Sequence, residues 1–200
     1  MRKQIYIPQG NYTKGRAGYK PKAIVIHIMQ GTLRGTDGWF GGQNLKSGIA
    51  SSTHSGVGKN GDISDYVNTD DTAYHAGRVA QPIWAGMEKT AWGSFVNPNK
   101  YTLGIECEGF RGDIWTEALM TSLCVLVKEY SDKYNIPITR ANIIGHSEIT
   151  IDKEDMHLWV DEIIKRLSTP VPSPSVILNT DTKSDLVALL EKAIIIAKKL

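Results

Sequence analysis

The sequence predicts an α/β domain, and three segments carry most of that prediction. Lys22 to Met29 (KAIVIHIM) is a short run rich in β-branched residues, which is typical of a buried strand. Tyr101 to Gly109 (YTLGIECEG) alternates, so Leu103, Ile105 and Cys107 share one face of a strand and Glu106 and Glu108 share the other. Thr116 can cap a helix that runs to about Tyr134 with apolar residues at helical spacing.

The remaining elements follow from turn residues and apolar spacing. The Asn60-Gly61 pair predicts a hairpin between Ser51–Val57 and Ile63–Val67. The segment from Ala76 to Lys100 carries two tryptophans, two prolines and several glycines, which indicates a long irregular loop of the kind that often has a function. We further predict a short helix around 39–45, a third short strand at 142–145 and a last helix at 158–167.

Composition limits the classes of function. The 200 residues carry a formal net charge of +2, so no general electrostatic attraction to nucleic acid is expected. Two cysteines, Cys107 and Cys124, are too few for a disulfide framework, and we interpret both as buried thiols. No segment approaches the roughly 20 apolar residues of a membrane span, and the first residues do not resemble a signal peptide. We therefore expect the protein to be made in the cytoplasm and not to insert into a membrane.

The chain divides into a catalytic-sized domain and a short tail. We place the domain at residues 1–167 and a linker rich in proline and serine at 168–179. Residues 180–200 then form an amphipathic helix that opens on a capping box, Thr182 to Asp185. A single helix on a linker cannot bury its apolar face alone, so we expect it to dock on the domain or to form a homo-oligomer.

Three residues in the domain have the chemistry of a hydrolytic metal site. His27 lies inside the first apolar strand, His146 follows the third, and Asp155 comes nine residues later. Two imidazoles and a carboxylate leave one position open on tetrahedral zinc, as hydrolysis requires. Each histidine taken alone is more often a hydrogen-bonded core residue than a ligand, so spacing and composition leave both interpretations open.

Five segments in order resemble the type-2 N-acetylmuramoyl-L-alanine amidases, which include phage endolysins, cytosolic recycling amidases and animal peptidoglycan recognition proteins. The similarity covers about residues 22–167. The segments are IVIHIMQGT around His27, SSTHSGVGKNGDISDYV around His54, TAYHAG around His75, NKYTLGIECEG from Asn99 and IIGHSEI around His146. The resemblance implies a central mixed β-sheet flanked by helices, with one zinc ion in a surface cleft near the strand ends.

The resemblance also assigns the metal ligands. His27 and His146 match two ligands of the family, and Asp155 matches the third, which in the family follows a lysine by two residues. Lys153 supplies that lysine, but Met156 stands where the family usually has proline. His157 is therefore a rival third ligand.

Roles for five further residues come from the same resemblance. Glu106 matches the general base, and this chain has Thr53 where relatives without that glutamate use a tyrosine. Lys153 would place a cation near the developing oxyanion. His75 and Asn99 match positions that contact the sugar–peptide junction of the substrate. His54 is the third residue assigned to the substrate side, although a role in orienting other groups is equally consistent with the motif.

The implied reaction is hydrolysis of the amide that joins N-acetylmuramic acid to L-alanine in bacterial peptidoglycan. A catalytic domain, a linker and a small C-terminal element form a layout typical of endolysins, which reach the wall after release by a holin. Two alternatives remain: a cytoplasmic amidase that recycles soluble muropeptides, and a peptidoglycan-binding module without zinc or activity.

Overall fold

The computed structural model describes residues 1–153 and 157–169, with backbone only at 157 and 158. Met1 to Thr169 form one compact unit. Three features expected from the sequence lie outside the described residues: Asp155, the linker from residue 170 onward and the helix at 180–200. The side chain of His157 is outside them as well, so its rivalry with Asp155 stays a prediction.

Eight strands and four α-helices make up the described chain. In order they are β1 (Arg2–Gln4), β2 (Tyr12–Thr13), β3 (Ala23–Ile28), α1 (Leu33–Gly38), α2 (Asn44–Lys46), β4 (Ser55–Val57), β5 (Ile63–Asp65), β6 (Thr72–Ala73), β7 (Thr102–Cys107), α3 (Glu117–Tyr134), β8 (Ile143–Gly145) and α4 (His157–Ser168).

Six of the strands form one mixed sheet, as the sequence predicts. Its order is β1-β5-β4-β7-β3-β8, and β2 pairs with β6 in a separate antiparallel ribbon. Strands β4, β7, β3 and β8 are parallel to one another, whereas β5 runs antiparallel to β4. The carboxyl ends of four parallel strands therefore meet at one edge, which is where open α/β sheets bind their ligands.

Both faces of the central strands are covered, which explains why β3 is apolar on both sides. Ile24 and Ile26 pack with Leu103 and Ile105 against α3 and α4. On the other face, the main contacts of Ala23 and Val25 are with a second buried cluster built around Trp84, Tyr101 and Ile144. Side chains alternate along β3 and β7, so every second residue points away from α3 toward this second face. His27 and Glu106 are among these residues.

Most of the predicted elements are confirmed at slightly different bounds. The predicted hairpin forms between β4 and β5, but both strands are shorter than expected. Thr116 caps α3 by accepting a hydrogen bond from the Leu119 amide at 3.1 Å. The predicted helix at 39–45 begins earlier, at Leu33, and continues through a π-helical turn (Trp39–Gln43) in which Gly42 has a φ of 125°. Helix α4 includes Ser168, one residue past the expected boundary of the domain.

Two expectations from composition can also be compared with the structure. Cys107 is a buried thiol as predicted, while Cys124 is only partly buried on α3. Within residues 1–153 and 157–169, no helix is long and apolar enough to cross a membrane.

Candidate active site

A cleft of about 660 Å³ opens at the carboxyl ends of β3, β7 and β8. Its floor is formed by the end of β3, and one wall is formed by α1 and the turn that follows it. The side chains from the predicted site that line it are His27, His75, Glu106, His146 and Lys153. The strands therefore bring five of the seven described candidates to one cavity, although those five are spread over more than 120 positions of the sequence.

The register of the two central strands places His27 beside Glu106. These residues are paired in the parallel ladder between β3 and β7, so their side chains leave neighbouring strands on the same face. His27 is 5% exposed and Glu106 is partly buried. A carboxylate that can move protons thus lies next to an imidazole that can bind a metal.

His146 joins them from the turn that follows β8. Its ring centroid lies 4.4 Å from that of His27 in an edge-to-face arrangement. The turn is held by Glu148, whose Oε1 accepts from the Gly145 amide at 2.7 Å and pairs with Nη1 of Arg140 at 2.9 Å. The Nε2 atom of His146 is buried and has no hydrogen-bond partner within the described chain. An unpartnered buried nitrogen beside a second imidazole is a donor set that fits a metal ion.

His75 contacts His27 directly. Its Nδ1 lies 3.0 Å from Nε2 of His27, and its Nε2 lies 3.3 Å from the hydroxyl of Thr102 at the start of β7. His75 also lines the cleft, so its position is consistent with either a substrate contact or a contact to the metal ligand.

His54 and Asn99 do not line the cleft, and their contact with the substrate stays a prediction. His54 is 1% exposed, its Nδ1 accepts from the Gly104 amide at 3.0 Å, and its Nε2 lies 2.9 Å from Nη2 of Arg16. Asn99 is 3% exposed, and its Oδ1 accepts from the amides of His75 and Ala76. The polar atoms of both side chains make their contacts within the protein, so we expect these residues to position other residues.

Burial keeps the imidazoles of this region neutral. Burial first, and then Arg16, lower the pKa of His54 to about 3. Burial, followed by the charge of Lys153, lowers the pKa of His146 to about 4. The pKa values of His27 and His75 are held well below the ordinary range, mainly by burial and then by neighbouring imidazoles. Neutral imidazole is the form that binds metals, so these histidines can bind a cation without first releasing a proton.

The carboxylates of Glu106, in β7, and Glu108, just after its end, have different surroundings. Glu106 lines the cleft, whereas Oε2 of Glu108 accepts from the Lys59 amide at 2.8 Å in the turn between β4 and β5. Lys153 is exposed and faces the cleft, two residues before Asp155. Within the described residues, no three acidic, histidine or cysteine side chains form a metal-binding group.

Sequence reasoning missed several residues that shape the site. Trp39 and Tyr74 line the cleft. Arg16 is 7% exposed, and its guanidinium donates to the carbonyls of Asn99, Lys100 and Thr102 and lies against the ring of His54. Trp39 lay within a predicted helix whose exposed face was not determined, and Arg16 lies in a glycine-rich segment without periodicity, so no local pattern marked either residue.

Comparison with known proteins places these features in a family. A family model described as "N-acetylmuramoyl-L-alanine amidase" matches residues 17–157. The 1,6-anhydro-N-acetylmuramyl-L-alanine amidase AmpD of Haemophilus influenzae is 35% identical over 99 residues, which are 50% of this chain and 47% of that protein. The chain spans about half the length of the curated relatives it matches.

Solved structures share the fold at lower identity. The N-acetylmuramoyl-L-alanine amidase LysC from Clostridium intestinale superposes with a TM-score of 0.58 at 20% identity, covering 82% of this chain and 97% of that one. A mutant endolysin from Bacillus subtilis gives a TM-score of 0.55 at 18% identity and covers 84% and 99% of the two chains. At such identities the likeness establishes the fold alone.

The neutral state of His54 makes a testable contribution to acid stability. A buried imidazole with a pKa of about 3 must stay neutral in the folded protein, while in the unfolded chain it titrates near 6.5. Its contribution is complete above pH ~6.5 and declines by about 1.4 kcal/mol per pH unit as the pH falls toward the folded value.

We therefore expect His54→Asn, which keeps an acceptor for Gly104 but cannot titrate, to lower the free energy of unfolding at neutral pH and to make its loss in acid shallower. Urea unfolding at several pH values between about 4 and 7, with a chelator in every sample, measures both effects. Parallel acid profiles for the wild type and the variant would contradict the prediction.

Proposed function

The chain belongs to the N-acetylmuramoyl-L-alanine amidase family, and from that premise we propose that it hydrolyses the amide between N-acetylmuramic acid and L-alanine with the help of one zinc ion. The observation that carries the proposal is the convergence of His27, Glu106 and His146 in one cleft at the strand ends. Peptidoglycan or its fragments would be the substrate, and the cleft of about 660 Å³ has room for a sugar–peptide junction.

His27 and His146 are the described residues that would hold the zinc. Their rings are neutral and in contact, and the Nε2 atom of His146 lacks another partner. Asp155 is the proposed third ligand. In the sequence it follows Lys153, which lines the cleft, by two residues. Bound zinc would lower the pKa of a water molecule and polarise the carbonyl of the substrate.

The residues of the chain would supply the remaining steps. Glu106 is proposed to take a proton from the attacking water and to return it to the nitrogen of the departing L-alanine. The ammonium of Lys153 would stabilise the negative charge on the carbonyl oxygen of the tetrahedral intermediate. His146 sits on a turn fixed by Glu148 and Arg140, and His27 on a buried strand, so both hold their geometry without substrate.

We propose the endolysin role for this activity, on the basis of the linker and C-terminal element in the sequence and the fold shared with endolysin amidases. The curated relatives at 31–35% identity are named as 1,6-anhydro-N-acetylmuramyl-L-alanine amidases, which supports recycling of soluble muropeptides as the second candidate. The two roles differ in the physical state of the substrate.

The zinc content of the purified protein tests the ligand set. We expect one equivalent of zinc in the wild type, loss of that zinc in Asp155→Ala and its retention in His157→Ala, because each missing ligand removes a large part of the binding free energy. Elemental analysis after dialysis measures all three. Loss in His157→Ala alone would move the third ligand, and a wild type that stays free of zinc after reconstitution would overturn the proposed cofactor.

Glu106→Gln tests the proton-transfer role, with Glu108→Gln as the matched control on the same face of β7. We expect Glu106→Gln to lower kcat by a factor of roughly 10² or more while zinc remains bound, since the amide cannot accept the proton. Glu108→Gln should keep nearly full activity, because its partner is the Lys59 amide in the hairpin. Release of amino groups from peptidoglycan is the assay. Equal losses in the two variants would contradict the assignment.

Matched substrates separate the two biological roles. Intact cell walls and the soluble muropeptides made from the same walls by a muramidase contain the same amide bonds. The endolysin role predicts release of L-alanine amino groups from intact walls at a rate similar to that from the fragments. A strong preference for fragments with a 1,6-anhydro end would favour recycling, and binding to walls without release of amino groups would favour a non-catalytic module.

A further inference from the structure

A chain of hydrogen bonds connects the backbone of the long loop to His27. The hydroxyl of Thr102 donates to the carbonyl of Pro98 at 2.8 Å and lies 3.3 Å from Nε2 of His75. The other ring nitrogen of His75, Nδ1, lies 3.0 Å from Nε2 of His27. Thr102 is fully buried, so water does not compete for its hydroxyl.

The direction of these bonds follows from the number of protons available. A carbonyl oxygen can only accept, so the single hydroxyl proton of Thr102 is used on Pro98. The same hydroxyl oxygen must then accept from His75, which requires a proton on Nε2 of His75. A second ring proton would put a positive charge on His75, whose ring nitrogens face only a hydroxyl and another imidazole among the described residues, so the ring is neutral. Its Nδ1 consequently has no proton and offers a lone pair to His27.

We propose that His75 is a positioning residue that fixes the tautomer of His27, with the proton on Nε2 and the lone pair on Nδ1. The inference rests on the proposed function in one respect, because the tautomer matters for activity only if His27 binds the metal. A histidine that binds a metal through one nitrogen commonly donates the proton of the other nitrogen to a fixed acceptor. Here that acceptor is an imidazole rather than the carboxylate or carbonyl that usually serves.

The surroundings of His75 hold its ring in the required place. The ring packs on Gly104 in the middle of β7, where a Cβ atom would lie 2.7 Å from Cγ and Nδ1 of His75. Only glycine leaves room for the ring at this point of the strand. The backbone on either side is fixed by Asn99, whose Oδ1 accepts from the amides of His75 and Ala76 at 3.1 and 2.6 Å.

The first test reads the tautomer without any metal. Nitrogen-15 spectra that detect long-range couplings in the imidazole rings distinguish a protonated ring nitrogen from an unprotonated one. In the metal-free wild type we expect the proton of His27 on Nε2 and that of His75 on Nε2. A purely structural role for His75 would not require this pattern. A His27 with its proton on Nδ1 would overturn the inference.

The second test measures zinc affinity by competition with a chromophoric chelator. His75→Asn keeps an acceptor oxygen near the position of Nδ1, whereas His75→Phe keeps a ring without an acceptor. Gly104→Ala leaves the side chains of Thr102, His75 and His27 chemically unchanged but displaces the ring of His75. We expect zinc affinity to fall by a factor of about 10 to 100 in His75→Phe and in Gly104→Ala, and to remain much closer to wild type in His75→Asn.

The outcomes separate this inference from the proposed function. Equal affinities in His75→Phe and His75→Asn would contradict a positioning role, and complete loss of zinc in both would make His75 a ligand instead. Circular dichroism and thermal unfolding of each variant identify any loss of fold. If the wild type binds no zinc, the proposed function fails, and the tautomer of His27 in the metal-free protein still decides whether His75 sets it.

Discussion

The site depends on the parallel pairing of β3 with β7 at the buried centre of the sheet. That pairing fixes a single register in which His27 lies opposite Glu106. Because side chains alternate along a strand, a slip of one residue would turn Glu106 to the face covered by α3 and leave Cys107 beside His27. Ile24, Ile26, Leu103 and Ile105 are fully buried between the strands and that helix, and this apolar packing opposes such a slip.

A set of buried polar contacts fixes the loops beside the strands. Arg16 is buried beside His54 and donates to three carbonyls around the start of β7, and burial lowers the pKa of this guanidinium to about 10. Losing either partner would leave a buried donor or acceptor unpaired, which is costly in free energy. We therefore expect His54 and Asn99 to act on the cleft through the backbone and through His75, which would explain why they match a family motif without lining the cavity.

The sequence predicted the strands that matter most, because β3 is a continuous apolar run and β7 alternates cleanly. It also predicted five of the side chains that meet in the cleft. It could not predict β1 or the role of Arg16, since both depend on partners that are 38 or more positions away and neither has local periodicity. The motif predicted that His75, His54 and Asn99 lie near the site, but not which atoms each side chain contacts. The contacts of His75 with Gly104 and Thr102 support the positioning role that we propose for it.

The central claim is that this cleft adds water across the amide between the lactyl group and L-alanine. Digestion of peptidoglycan in water enriched in oxygen-18, followed by mass spectrometry of the products, tests it most directly. The account predicts one heavy oxygen atom in the lactyl carboxylate of the released glycan and a free, unlabelled amino group on L-alanine, with neither product formed by Glu106→Gln at a comparable rate. Label in a sugar hydroxyl or within the peptide would contradict it, as would a zinc-loaded protein that after prolonged digestion cleaves neither intact peptidoglycan nor the soluble muropeptides made from it.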